Sequence, residues 1–209
     1  MFEYHTSILE RFLTTRGGVI LASGMTNTTS SETLQNAYRS EQVATIERIG
    51  DTPLSELESL SAWRSTFSAF GASPTKSRSA PEALLRRLTK KGAIPSINAL
   101  VDIGNLVSIR YALPVAVFDT RALTGQLTVK FAKGNERYTE LGSNELKHPD
   151  IGEVIFADET DLVFARRWCW RHSIQSASKI DTQDAIIIVE AQHENNLVDI
   201  QNAQADLKL

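Results

Sequence analysis

The chain is poor in the residues and patterns on which several classes of protein depend. It has one cysteine, Cys169, in 209 residues, which excludes an internal disulfide and is typical of a reducing compartment. No apolar run approaches the length that crosses a bilayer. The first residues, MFEYHTSILERF, place two glutamates within an interrupted apolar pattern, unlike a signal peptide. We therefore expect a cytoplasmic protein with no membrane partner.

Metal and cofactor motifs are missing as well. The four histidines are scattered along the chain without the spacing of metal ligands: His5, His148, His172 and His193. No P-loop, dinucleotide-binding glycine pattern or nucleophile-elbow motif is present. The sequence thus predicts no metal site and no cofactor.

The overall composition is that of an ordinary globular domain. Hydrophobic residues make up 42% and charged residues 22%, with a net charge of -3 at pH 7, which argues against a disordered chain. The length fits one domain over residues 1–209 with a sizeable core. The slight acidity does not exclude a nucleic-acid partner, because the local distribution of charge decides such contacts.

The hydrophobic pattern changes from helical to strand-like at Pro114, which predicts an α+β fold. The helix-rich first half, about residues 31–113, is predicted to hold four helices, at 31–50, 53–71, 79–92 and 96–113. Ser79 and Glu82 have the spacing of a capping box at the start of the third. Short apolar or alternating runs over about 114–192 predict a strand-rich core, and an amphipathic helix is predicted over about 194–208.

The fourth helix carries a polar stripe on an otherwise apolar surface. Asn98, Asp102 and Asn105 are spaced i, i+4 and i+7, so they share one face. A helix that is apolar nearly all round is buried, and buried polar groups are costly unless they are paired. Asp102 and Asn105 therefore either bind backbone groups of nearby loops or line a cavity for a ligand.

This helix and the strand after it resemble a known family. INALVDIGNLVSIRYALPVAVFD is similar to the B3/B4 domain of the bacterial phenylalanyl-tRNA synthetase β chain, where the segment has the form V-D-x-x-N followed further along by P-x-x-x-F-D. GNERYTELG, GEVIFAD and TQDAIIIVEA look like later segments of that domain, in order. The first half, from AWRSTF to PSIN, looks like freestanding relatives with a W-R, E-A-L-x-R-R and P-x-I-N signature.

The resemblance implies a fold, a partner and site residues. It implies a packed β core of sandwich-like sheets flanked by helices, and a pocket for the aminoacyl end of a tRNA, because the family domain hydrolyses tyrosine wrongly attached to the phenylalanine tRNA. Asn105 matches a pocket residue, and Glu190 matches a glutamate that contacts the substrate side chain. These two are the candidate catalytic residues, and we expect them to face a common cavity with Asp102 nearby. The chain is too short to be a complete tRNA ligase.

Two positions depart from the family pattern. The family has P-x-H-x-F-D, whereas Ala116 stands in place of the histidine, which predicts an altered substrate or an altered way of positioning water. Arg110 replaces a glutamate. Its guanidinium is a candidate substrate-binding group for a phosphate or carboxylate, or it pairs with an acidic neighbour as plain structure.

The segment ARRWCWRH is dense in arginine and tryptophan. If it is extended, Arg166 and Trp168 share one face, where they are candidates for binding a substrate's 3′ nucleotide through charge and stacking. The alternative is that the tryptophans belong to the core and the arginines to a solvated edge. A salt bridge from Arg166 or Arg167 to Glu190 is a further alternative to a site role for that carboxylate.

The third helix and the turn before it are strongly basic. Residues 76–91 hold one acidic residue, Glu82, and six basic residues: Lys76, Arg78, Arg86, Arg87, Lys90 and Lys91. Such an excess of positive charge attracts a phosphate backbone. The alternative is an ordinary solvated helix face. The sequence as a whole favours a freestanding B3/B4-type protein that binds tRNA or aminoacyl-tRNA and hydrolyses a mischarged ester in trans. The competing hypotheses are a non-catalytic module for a small amino-acid-like ligand, and a module that binds RNA without a working pocket.

Overall fold

The computed structural model describes residues 2–208 as six α-helices and ten strands. The helices are α1 (Thr6–Arg11), α2 (Glu32–Ile49), α3 (Glu58–Ala69), α4 (Ala80–Lys91), α5 (Ala99–Tyr111) and α6 (Leu197–Asp206). The strands are β1 (Phe2–Tyr4), β2 (Arg16–Ala22), β3 (Val115–Asp119), β4 (Leu127–Phe131), β5 (Tyr138–Thr139), β6 (Leu146–Lys147), β7 (Val154–Ala157), β8 (Val163–Arg166), β9 (Arg171–His172) and β10 (Ala185–Ala191).

The strands form two main sheets and a small ribbon. One sheet has five strands in the order β1-β4-β7-β8-β9, the other has three in the order β2-β10-β3, and β5 pairs with β6. The N-terminal segment joins the two main sheets, because β1 lies parallel to β4 in one and β2 lies antiparallel to β10 in the other.

The three-stranded sheet separates two hydrophobic cores. Along β10, Ile187, Val189 and Ala191 belong to the core formed with the helices. Ile186 and Ile188 point to the other side, into an aromatic-rich core shared with the five-stranded sheet. This alternation is the period of two expected of a strand. With strands sandwiched between helices and a second sheet, the predicted α+β class is confirmed.

Several predicted elements differ in detail from the structure. The helix predicted over 53–71 is divided into a 3-10 turn at Leu54–Glu56 and α3. The capping box at α4 is wrong: Ser79 makes no side-chain capping bond, and Glu82 bonds to Arg64 instead. The strand predicted through Trp170 ends at Arg166, because Arg167 and Trp168 adopt positive φ angles of 45° and 60°. Residues 2–11 form β1 and α1, which the pattern did not predict.

No helix in residues 2–208 is long and apolar enough to cross a membrane.

Candidate functional site

A buried carboxyl group lies in the aromatic core, near the end of the central strand. Glu190 is 2% exposed. Its Oε1 accepts hydrogen bonds from the Tyr4 hydroxyl and from the Trp168 indole Nε1, each at 2.8 Å. Among the described residues, no hydrogen-bond donor reaches Oε2 and no cation pairs with the carboxylate. Within residues 2–208, Oε1 is thus the only oxygen of this group with a hydrogen-bond donor.

Burial controls the protonation of Glu190. Removal from water raises its pKa to about 7, although the bonds from Trp168 and Tyr4 act in the opposite direction by stabilising the charged form. Near neutral pH this carboxyl therefore exists in both forms, and it can donate or accept a proton. The neighbouring Cys169 thiol has its pKa raised by burial and by Glu190, so it is not an activated nucleophile.

A glycine in the neighbouring strand makes room for the Tyr4 side chain. Gly17 stands opposite Glu190 in the register of β2 against β10. A Cβ atom at Gly17 would lie 2.3 Å from the Tyr4 hydroxyl oxygen, closer than any side chain tolerates. Because position 17 has no side chain, Tyr4 can cross β2 and reach the carboxylate.

The side chains packed around Glu190 and its partner Trp168 are largely apolar. The Trp168 ring packs edge-on against Phe12 and Trp63, with ring centres 5.3 Å apart in both cases. Ala116 stands opposite Ile188 in the register of β3 against β10 and packs against the same core as Glu190. The position at which the family pattern has histidine thus lies on the same side of the sheet as Glu190 and contributes only a methyl group.

Asp102 is fully buried and binds three donors of its own chain. Its carboxylate accepts bonds from the Ser30 hydroxyl at 2.5 Å, from the Ser96 hydroxyl, and from the Ile97 backbone N–H at 2.9 Å. Asn98, on the same stripe, caps α5 by accepting from the Val101 N–H. Through Asp102, the stripe therefore fixes the segment before α2 and the segment before α5 to the α5 helix.

Asn105 and Glu190 do not share a cavity, contrary to the expectation from the sequence. Asn105 is half-buried on α5, near the hydroxyl of Tyr38, whose pKa burial raises. Tyr38 belongs to the core on the helical side of the three-stranded sheet, whereas Glu190 bonds to Trp168 in the core on the other side. The physical reason is the alternation of β10, which directs residue 190 away from the helices.

Arg110 is engaged with two acidic residues. Its guanidinium lies 2.7 Å from a Glu41 oxygen and 2.7 Å from an Asp206 oxygen. Tyr111 also donates to Asp206, at 2.9 Å. This cluster joins α2, α5 and α6, as expected if Arg110 has the structural role.

Arg166 and Trp168 occupy the interior instead of a shared exposed face. Arg166 forms a bidentate pair with the buried Glu153, at 2.9 and 2.6 Å, and Trp168 is fully buried. The salt bridge considered between Glu190 and Arg166 or Arg167 is absent, since Glu153 pairs with both arginines. Trp170 is half-buried and Arg171 is exposed, and the Arg167 and Arg171 guanidinium groups lie over the Trp170 ring.

The basic residues of α4 border a groove. Four of them are exposed along the helix: Arg86, Arg87, Lys90 and Lys91. Arg86 and Lys90 line a groove of about 460 Å³ between α4, α3 and the turn at residues 53–55, together with Arg64 and Arg78. Lys76, which is also exposed, lines a neighbouring groove of about 270 Å³ on the other side of the loop.

The one acidic residue that lines the α4 groove is buried and pairs with two of its arginines. Glu82 lies 2.8 Å from Arg64 and 3.8 Å from Arg78. Four cations thus line the groove against a single carboxylate, and three hydroxyl groups complete its polar lining: Ser55, Thr75 and Thr89. This arrangement can bind several phosphate oxygens at once.

The sequence missed Tyr4, Arg64 and Trp170. Tyr4 is 186 residues from its partner Glu190, and no local pattern reveals such a contact. Arg64 belongs to the W-R motif of the sequence, and it pairs with Glu82 of the E-A-L motif. Trp170 was visible too, but the strand prediction placed it on the same face as Trp168.

Comparison with known proteins identifies similar sequences. A family model described as the B3/4 domain matches residues 62–205. The phenylalanine–tRNA ligase beta subunit of Shewanella oneidensis is 34% identical over 76 residues, which cover 36% of this chain and 10% of that protein. The beta subunit of Fusobacterium nucleatum is 37% identical over 90 residues, which cover 42% of this chain and 11% of that protein. The match thus spans about a tenth of these curated relatives.

A solved structure is also similar. The N-terminal fragment of the phenylalanyl-tRNA synthetase beta subunit from Pyrococcus horikoshii aligns with a TM-score of 0.47 at 11% sequence identity. The alignment covers 99% of this chain and 48% of that fragment.

Proposed function

The chain belongs to the B3/4 domain family, and from this premise we propose that it binds tRNA and hydrolyses a mischarged aminoacyl ester in trans. The observation that carries the tRNA part is the groove beside α4, where Arg64, Arg78, Arg86 and Lys90 surround Glu82. A net excess of cations in one groove suits a phosphate backbone, even though the whole chain is acidic. The relatives named as phenylalanine–tRNA ligase subunits support the same partner.

Salt-dependent binding tests the interface. We expect the affinity for tRNA to fall as salt rises, and the variant Arg86→Gln/Arg87→Gln to bind more weakly with a shallower salt dependence. Each lost phosphate contact lowers the slope of log K against log salt by about 0.7 to 0.9. A matched control is Arg137→Gln/Lys208→Gln, which removes the same charge from exposed positions outside the groove. If both variants weaken tRNA binding equally, or if neither variant changes it, α4 is not part of the interface.

For the hydrolytic step, we propose Glu190 as the residue that reads the amino-acid side chain or its ammonium group. In that step a water attacks the ester carbonyl, the bond to the ribose oxygen breaks, and the ribose oxygen takes up a proton. The ester is intrinsically labile, so a positioned water and a few oriented polar groups suffice. Among residues 2–208, Oε2 of Glu190 has no hydrogen-bond donor and no cation pairs with this carboxylate, which supports the assignment.

We propose further that the preferred ester is not tyrosyl-tRNA for phenylalanine. Ala116 offers no polar group beside Glu190, and a lost contact to a substrate hydroxyl costs discrimination because the remaining buried groups are left unpaired. A polar or cationic amino acid remains compatible with Glu190. Asn105, Asp102 and Arg110 lie on the other side of the three-stranded sheet, where we propose that Asn105 and Arg110 contribute only to contacts outside the ester site.

Deacylation assays on a full set of mischarged tRNAs decide between catalysis and binding alone. We expect one or a few esters to be cleaved, and Glu190→Ala to alter which ester is cleaved more than it slows cleavage overall. If nothing is deacylated above background, the non-catalytic module for an amino-acid-like ligand, which Ala116 favours, replaces the hydrolase.

A further inference from the structure

The turn after β8 presents an indole with two guanidinium groups. Trp170 is partly exposed. The Cζ atoms of Arg167 and Arg171 lie 4.6 and 4.7 Å from its ring centre, within the range of favourable cation–π contact. The other two tryptophans, Trp63 and Trp168, are fully buried, so Trp170 is the one that a dissolved partner can reach.

This turn is fixed to the basic part of the chain. The Arg167 guanidinium donates to the Ser77 hydroxyl, and the Cys169 carbonyl accepts from the Ala80 N–H at the first turn of α4. Arg167 and Lys76 line the same groove of about 270 Å³. The turn that carries Trp170 is therefore bonded to the segment 77–80, which also holds Arg78 of the α4 groove.

The exposed acidic partners of the two arginines are weak competitors for a phosphate. Arg167 faces Asp150 at 3.4 Å, a carboxylate that is 77% exposed, and it lies farther, at 3.7 Å, from the buried Glu153. Arg171 contacts Glu140 and is itself 52% exposed. Such exposed ion pairs contribute little to stability, so a polyanion can replace them at small cost. Arg166, by contrast, is itself buried and pairs with Glu153 at 2.6 Å.

We infer that Trp170, Arg167 and Arg171 form a platform on which an unpaired nucleotide of RNA stacks, while the phosphates beside it contact Arg167 and Lys76. This rests on the proposed function and extends it, because it predicts a preference for a single-stranded segment over a duplex. An unstacked base has a free face that an indole or a guanidinium plane can cover, whereas a paired base does not. Arg171 provides the exposed guanidinium.

Short RNA oligonucleotides test this inference. Single-stranded hexamers and a hairpin of the same composition are titrated into the intact chain, and tryptophan fluorescence and anisotropy are followed. We expect the hexamer to quench the fluorescence, because Trp170 is the accessible indole. We also expect Trp170→Ala to lower the hexamer affinity about tenfold and the hairpin affinity little. Trp170→Phe should retain most of the affinity, and Arg171→Gln should lower it without removing any buried side chain.

The outcomes separate the inference from the proposed function. If Trp170→Ala and Arg171→Gln bind the hexamer as the parent does, while Arg86→Gln/Arg87→Gln weakens tRNA binding, the platform is overturned and the tRNA-binding proposal stands. If the affinity for the hexamer falls in Trp170→Ala but the affinity for tRNA is unchanged in Arg86→Gln/Arg87→Gln, the platform is supported and the α4 interface is contradicted. Equal losses for hexamer and hairpin would contradict stacking as the source of the affinity.

Discussion

At the scale of the residue, Glu190 combines a predictable position with unpredictable partners. The alternation of AIIIVEA placed Glu190 on the face of Ile186 and Ile188, and the structure agrees. Its donors could not be predicted, because Tyr4 comes from the far end of the chain. Trp168 reaches the carboxylate only because the backbone leaves the extended conformation after Arg166. A side-chain period assigns a face, but contacts across the molecule depend on how the sheets pack.

The raised pKa of Glu190 predicts a measurable pH dependence of stability. The folded protein holds this proton up to about pH 7, whereas the unfolded chain releases it near pH 4.5. Glu190 therefore contributes stability at low pH that is lost as the pH rises between these values. We expect the free energy of unfolding of the parent, relative to that of Glu190→Gln, to fall by about 3 kcal/mol across this window. Urea unfolding at pH 4.5 to 7.5 measures the difference.

The control for this prediction is His172, whose trend has the opposite sign. Burial lowers its pKa to about 4, so the stability that it contributes is present above pH 6.5 and is lost as the pH falls. In the parent, the two pH trends of the free energy of unfolding partly cancel. In Glu190→Gln, the free energy of unfolding should therefore rise with pH because of His172. The double variant Glu190→Gln/His172→Phe should lack both trends. A parent and a Glu190→Gln variant with parallel pH profiles would contradict the assignment.

At the scale of the element, the long amphipathic segments were predictable and the short ones were not. The helix α2 begins after Ser31 and ends before Gly50, as the predicted cap and stop residues indicate. β1, β6 and β9 have two or three residues each, too few for any period to be recognised. Their existence depends on neighbouring strands that supply hydrogen bonds, which is tertiary information. The capping box failed for a related reason, since Arg64 of α3 competes for Glu82 more effectively than a backbone N–H.

The pairing of Glu82 predicts opposite effects on stability and on RNA binding. Glu82→Gln removes the charge that holds Arg64 and Arg78, and we expect the free energy of unfolding to fall by about 1 to 3 kcal/mol. The groove then carries one more net positive charge, so the affinity for tRNA should rise and its salt dependence should steepen. Thermal unfolding and anisotropy titrations on the same sample check both signs. An exposed-site control is Glu32→Gln, at the first turn of α2. Weaker binding of Glu82→Gln would show that the groove does not contact phosphate.

At the scale of the whole molecule, one strand holds the two cores together. β10 is bonded on both edges, to β2 and to β3, and all seven of its residues are buried. The sequence indicated a buried run here, but it could not show that the run has a core on each side. That arrangement is what separates Asn105 from Glu190, and it is the reason that residues matched in sequence do not meet in space.

Hydrogen exchange should reveal this central position. We expect the backbone amides of β10 to exchange only through global unfolding, while those of the edge strands β6 and β9 exchange through local opening. Exchange followed by mass spectrometry should therefore give β10 a protection free energy equal to the free energy of unfolding from denaturant titration. Protection of β10 well below that value would mean that the two cores separate before the molecule unfolds.

The glycine opposite Glu190 has a consequence for how this sequence can evolve. Any side chain at position 17 would occupy the space of the Tyr4 hydroxyl, and the loss of Tyr4 would leave Glu190 with one donor instead of two. A lineage that replaces Gly17 must therefore move or give up the tyrosine, and with it part of the environment that sets the charge of the carboxyl. Positions 4, 17 and 190 should change as a group when related freestanding chains are aligned, although they are widely separated along the sequence.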